Sequence, residues 1–194
     1  MYTIQHQSVA DKLAKTGLYK TNRRFICEPT FKEAYDWLTK MAKKHKGWEE
    51  SRPVWAWHKR PDLRNYRFFR DEQSPTNRTD VLITLEVPEQ FVLLSEFGLW
   101  HCVLNNFYVY INKQQEKYWN KLLKPYNDQL DKAPKKIHKL KEKSWEQILF
   151  LNPKSFAKFD KKITGSLELQ AILPYLKQEW VISIKPIKMK NTKK

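Results

Sequence analysis

From Thr79 to Asn112 the chain carries no lysine or arginine, although it holds 37 of them in 194 residues. The formal charges in that window are four acids: Asp80, Glu86, Glu89 and Glu96. So long a window without a cation, in a chain of net charge +16, reads as core. Burying an unpaired charge is too costly for a cation to be spread through it at random. Within it, Val81, Ile83, Leu85 and Val87 alternate with Leu82, Thr84 and Glu86. That period of two predicts a strand over Asp80–Val87, ended by Pro88. Phe97, Leu99, Trp100, Val103 and Leu104 follow with helical spacing. They predict a helix to about Asn105, with Ser95 as its cap. The aromatic-rich stretch Asn106–Asn112 fits neither period.

The flanking segments add elements of both kinds. Tyr2–Gln5 and Arg24–Glu28 read as short strands. Ser8 opens a helix that Gly17 stops, with Val9 and Leu13 on one face. Thr30 and Glu33 form a capping box for a second helix, whose inner face is Phe31, Ala34, Tyr35, Leu38, Met41 and Ala42 and whose end is Gly47. Pro53–Lys59 holds a strand with Trp55 and Trp57 on one side. Pro61 to Asn77 reads as loop. Gln115–Leu130 reads as a helix broken by Pro125, and Asp131–Lys143 as a basic linker or insertion. Ser144-Trp145-Glu146-Gln147 starts a short helix. Ile163–Leu173 and Glu179–Ile187 close the chain as strands joined at Pro174-Tyr175. Strands and helices mix without regular alternation. The expected class is α+β: a single domain, with a mixed, mostly antiparallel sheet and flanking helices. A basic helical insertion is expected at about 113–162, and a flexible lysine-rich tail at 188–194.

Composition excludes several classes of protein. Two cysteines, Cys27 and Cys102, cannot build a disulfide framework or a cysteine-based zinc site. Five scattered histidines show no ligand spacing, so no metal is expected. Four glycines and no Walker or dinucleotide fingerprint leave no glycine-rich phosphate cradle. No apolar run reaches membrane-span length, and the first residues lack a signal-peptide layout. The expected setting is the cytoplasm, with no membrane contact.

The charge is segregated. Lys113–Lys162 carries fourteen basic residues against six acids, Arg52–Arg78 seven against three, and the tail from Lys185 five lysines and no acid. This favours a polyanionic partner, with nucleic acid first and an acidic protein second. The expected contact residues are Lys59, Arg60, Arg64, Arg67 and Arg70 in the arginine-rich segment, and Lys135, Lys136, Lys139, Lys141 and Lys143 in the lysine-rich one.

Chemistry has fewer candidates. If Ser166, Glu168 and Gln170 share a strand face, opposite Leu167, Leu169 and Ala171, a carboxylate and a carboxamide stand side by side. Such a carboxylate can hold a sugar hydroxyl and stabilise positive charge on a ribose carbon. The same pattern also describes an ordinary sheet with one wet face. Trp55 and Trp57 can stack on a flat heterocycle or sit in the core.

The Tyr-Thr-Ile-Gln start, Trp55-Ala-Trp57, Leu99-Trp-His-Cys-Val-Leu-Asn105 and the Ser144-Trp-Glu helix together resemble an uncharacterised bacterial domain-of-unknown-function family. A remoter resemblance joins the opening strand, the helix ending in Thr16-Gly17-Leu18 and the closing Glu168-Leu-Gln170-Ala-Ile-Leu-Pro…Trp180-Val-Ile-Ser-Ile. These are similar to the layout of ADP-ribosyltransferases, nearest the DarT-like branch that modifies nucleic acid. The resemblance implies an ADP-ribosyltransferase-like fold and NAD as substrate. It also implies Gln5 or His6 at the nicotinamide ribose, Trp55 and Trp57 near the nicotinamide ring, and Glu168 with Gln170 as the catalytic pair. The order Glu-x-Gln reverses the family's usual placement of the catalytic glutamate. The expected function is ADP-ribosyl transfer to DNA or RNA, in a phage, defence or toxin setting with an antitoxin or other acidic protein as possible partner. The alternatives are a non-catalytic nucleic-acid-binding protein and a protein-binding inhibitor or adaptor.

Overall fold

The computed structural model describes residues 1–21, 29–49, 52–63, 79–150, 158–164 and 167–187. In chain order its elements are β1 (Tyr2–His6), α1 (Gln7–Thr16), β2 (Leu18–Tyr19), α2 (Lys32–Lys46), β3 (Val54–Trp57), β4 (Asp80–Leu85), β5 (Leu93–Glu96), α3 (Phe97–Leu104), α4 (Lys113–Leu123), α5 (Lys135–Trp145), β6 (Leu149–Phe150), α6 (Lys161–Thr164), β7 (Leu169–Leu173), β8 (Leu176–Lys177) and β9 (Val181–Pro186). The class is α+β. The strand expected at Arg24–Glu28, most of the loop expected at Pro61–Asn77 and the tail 188–194 lie outside the described residues. Among the described residues no helix is long and apolar enough to cross a membrane. The chain divides into two compact units. The first comprises Met1–Asn22, Ser51–Val92 and Ala171–Lys194; the second comprises Arg23–Glu50 and Leu93–Gln170.

In the first unit the strand order is β7-β3-β1-β4-β9. β1 runs antiparallel to both neighbours, with Tyr2 opposite Trp57 on one side and Thr84 on the other. β4 is buried at every position except Thr84. The alternation at the sequence level therefore marks its two faces without marking one as wet, because a strand inside a sheet can be covered on both sides. α1 buries Val9, Ala10 and Leu13. It starts one residue before the expected cap: His6 Nδ1, not the Ser8 hydroxyl, takes the free backbone N–H of Ser8 at 3.2 Å. Gly17 ends the helix in left-handed backbone, φ 72°, with its N–H donating to Leu13 O. β2 and β8 form a separate antiparallel ladder. Tyr175 stacks on Trp180 at 5.4 Å, and Phe91 closes the group at 5.2 Å from Trp180.

In the second unit α2 buries Ala34, Leu38, Met41 and Ala42, the face its spacing predicted. Its start is a 3-10 turn, Pro29–Phe31, with no side-chain cap, so the expected Thr30–Glu33 capping box is not what closes it. Tyr35 meets Trp100 edge-on at 5.4 Å, and Trp37 meets Trp145 at 5.5 Å. A strand too short to show a period in sequence, β5, pairs antiparallel with β6, Ser95 opposite Leu149. α4 stops at Leu123, where Pro125 enters a 3-10 turn. The segment expected as a linker, Asp131–Lys143, is mostly α5, an amphipathic helix burying Ile137, Lys141, Ser144 and Trp145. Trp119, Leu123, Ala133 and Ile137 form a cluster under α4 and α5, with Tyr108 stacked on Trp119 at 4.3 Å.

The non-periodic stretch Asn106–Asn112 is held by side chains instead of a ladder. Val109 N donates to Ser144 Oγ at 2.8 Å, and Gln147 Nε2 donates to Val109 O at 2.9 Å. Ile111 N donates to Gln115 Oε1, and Trp145 Nε1 donates to Phe107 O. These bonds supply the partners that buried backbone groups require.

Candidate functional site

The expected catalytic pair divides between two environments. β7 begins at Leu169, so Glu168 precedes the strand, and its side chain is exposed. Gln170 lies inside the strand and is only 4% exposed. The two do not share a wet face, because from Gln170 onward β7 is buried at every position. Gln170 Nε2 makes no hydrogen bond among the described residues, and neither does Ser95 Oγ.

Glu168 is held from an unexpected direction. Glu96, 2% exposed, ends β5 and caps α3: its Oε2 accepts the Leu99 N–H at 2.5 Å. Its Oε1 accepts the Glu168 N–H at 3.0 Å, and Phe97 N donates to Glu168 O at 2.8 Å. A carboxylate at a helix N-terminus sits where free N–H groups and the helix dipole favour negative charge. Gly98 makes room for it, since a Cβ there would stand 3.2 Å from Oε2. The cap is thus one residue later than the predicted Ser95. The Glu-x-Gly spacing before an apolar helix was the available signal. At the other end Asn105 is the C-cap, as expected, and its Nδ2 donates to His101 O.

The residues expected at the nicotinamide ribose and ring belong to the first unit. Trp55 and Trp57 are half-buried and alternate with buried Val54 and Ala56, so both indoles do lie on one side. The register of Tyr2 with Trp57 puts Tyr2, Ile4 and His6 on that side, and Thr3 and Gln5 on the other. His6 therefore shares the tryptophans' face and Gln5 does not. Both side chains are also engaged: Gln5 Nε2 donates to Thr3 Oγ1 at 2.8 Å, and His6 caps α1.

Of the basic residues, Lys59 and Arg60 are exposed just after β3, while Arg64, Arg67 and Arg70 lie outside the described residues. In the second unit Lys135, Lys136, Lys139 and Lys143 are exposed along α5. Lys141 departs from the expectation. It is 2% exposed, lies 4.8 Å over the Trp145 ring, donates to Asn106 Oδ1, and stands 3.8 Å from Glu33 Oε1. It falls one turn after Ile137 and one before Trp145, on the buried stripe of the helix. Burial pushes its ammonium below the ordinary lysine value, and Glu33 and then Glu142 partly oppose this. Lys141 is thus part of the core and takes no place on the lysine surface.

Among the described residues no group of three or more His, Cys, Asp or Glu is placed to hold a metal ion. Neither a curated protein nor a solved structure matches the chain. Residues 1–182 match the family described as Domain of unknown function (DUF3841), and the chain belongs to that family.

Proposed function

We propose that the protein binds nucleic acid through the lysine surface of its second unit. One observation carries this reading. From Lys113 to Lys143 nine lysines are exposed (113, 117, 121, 124, 132, 135, 136, 139 and 143), against four acids, Glu116, Asp128, Asp131 and Glu142. Lys135, Lys136, Lys139 and Lys143 form no ion pair with any described residue, so their charge is available to a partner. Phosphate neutralisation releases counterions, which makes such binding steeply salt-dependent. The test is to measure affinity for a short duplex across a salt series. Each phosphate contact contributes about −0.9 to the log–log slope. Replacing Lys135, Lys136, Lys139 and Lys143 with alanine flattens the slope by up to about 3.6, at that value for each of the four lysines. An unchanged slope removes α5 from the interface.

A second reading adds ADP-ribosyl transfer to that nucleic acid, on an ADP-ribosyltransferase-like fold with NAD as substrate. What supports it is Glu168: an exposed carboxylate whose backbone is pinned on both sides. Such a group can stabilise positive charge on the ribose carbon as nicotinamide leaves. A nucleic-acid nucleophile would then form the new bond and lose its proton to solvent. The buried Gln170 and the engaged Gln5 leave Glu168 as the main group for this role. Nicotinamide release from NAD in the presence of DNA or RNA is the measurement. Equal release by wild type and Glu168→Ala would reject it.

A further inference from the structure

Between α4 and α5 the second unit has a groove of about 690 Å³, in the size range of ligand sites. Its lining includes Ile137, which also belongs to the apolar cluster beneath the two helices. Tyr118 and Tyr126 also line it, and Lys121 and Lys136 bring a cation from each helix. Tyr118 is 51% exposed, so its ring is open to a ligand in the groove. Tyr126 packs against the cluster and is thereby held in place.

Resting on the nucleic-acid reading above, we infer that this groove takes single-stranded nucleic acid, with a base stacked on Tyr118 and phosphates on Lys121 and Lys136. Three features select that occupant. The lining holds two exposed lysines and no acid, within a segment of nine exposed lysines against four acids, so the ligand is an anion. The same lining carries two aromatic rings, and a base presents a π-face to such a ring whatever its identity. The site is also concave, and a duplex hides the faces of its bases inside the stack. Aromatic rings interleaved with lysines in a groove are the means by which proteins hold unpaired strands. An acidic peptide would satisfy the charges but leave the rings without a matching flat partner.

The experiment compares a fluorescent oligodeoxythymidine of about 12 nucleotides with a duplex of the same length, using the full chain. Wild type is expected to prefer the single strand. Tyr118→Ala should weaken single-strand binding by about 5- to 150-fold, the range for one lost base stack, and leave the salt slope unchanged. Tyr118→Phe should bind like wild type, since it keeps the ring and lacks only the hydroxyl. Lys121→Ala should instead reduce the slope by about 0.7. Tyr118 is largely exposed, so the alanine variant keeps its fold, and its circular dichroism should match wild type. If wild type binds the oligonucleotide and Tyr118→Ala binds it equally, the groove assignment is overturned while the lysine surface stands. Equal affinity for the duplex would also overturn it. If poly-glutamate binds as tightly and is lost equally in Tyr118→Ala, the groove takes acidic chains and the inference fails. If wild type binds neither nucleic acid, the underlying reading fails with it.

Discussion

Lys141 shows how a single side chain can invert its expected role. In a run of lysines it reads as one more surface cation, yet its place on the 3.6-residue period puts it beside Ile137 and Trp145. Burial lowers its pKa, so the folded chain holds this proton less tightly than the unfolded chain. In the window between the lowered folded value and the ordinary one, the unfolded state binds more protons, and stability rises with pH. Below that window both states are protonated and the full burial penalty remains. Its partner Asn106 is exposed and can turn to water, so losing that bond costs little. We therefore expect Lys141→Met to unfold within about 1 kcal/mol of wild type near neutral pH, or to be more stable. The gap should move in favour of wild type as pH rises. Urea unfolding at stepped pH measures both. A loss of several kcal/mol in the variant, with no pH trend, would mean that the ammonium's partners outweigh its burial.

At the scale of elements, helix ends were more legible than strand faces. Gly17 and Gly47, the predicted stops, both hold left-handed backbone, at φ 72° and 66°. Among the described residues, chain neighbours and the helix's own backbone aside, nothing lies within 4 Å of a Cβ built at Gly47. A substitution there meets no steric clash and tests backbone conformation alone. Gly47→Ala should cost about 1–2 kcal/mol, seen as a lower urea midpoint with unchanged slope; no shift would mean that the α2 terminus relaxes freely. Helix starts were read less well. Ser8, Thr30 and Ser95 all have capping chemistry, but His6, a 3-10 turn and Glu96 begin the three helices. Several residues near a boundary can take an orphan N–H, and local sequence does not say which the neighbouring chain will orient. Glu96 is the clearest case, since one of its two oxygens is occupied by Glu168, 72 residues away. β5 is illegible in sequence for a related reason. Leu93–Glu96 is too short to show a period, and it becomes a strand by pairing with Leu149–Phe150.

For the molecule as a whole, composition and spacing are enough to read the α+β class and the separation of an apolar core from a basic surface. A cation-free, largely apolar window supplies much of the core, alternating and helical periods are both present, and most of a surplus of sixteen positive charges faces water. Those constraints are local and additive, so composition and spacing suffice to read them. Tertiary structure alone decided which polar residues are exposed. Glu168 and Gln170 are two residues apart and indistinguishable by spacing, yet one is in solvent and the other is covered, because the strand begins between them. Lys136 and Lys141 belong to one lysine run, yet one reaches a groove and the other lies over an indole. Burial of a given side chain depends on what distant segments pack against it, and that information is not carried by its neighbours in sequence.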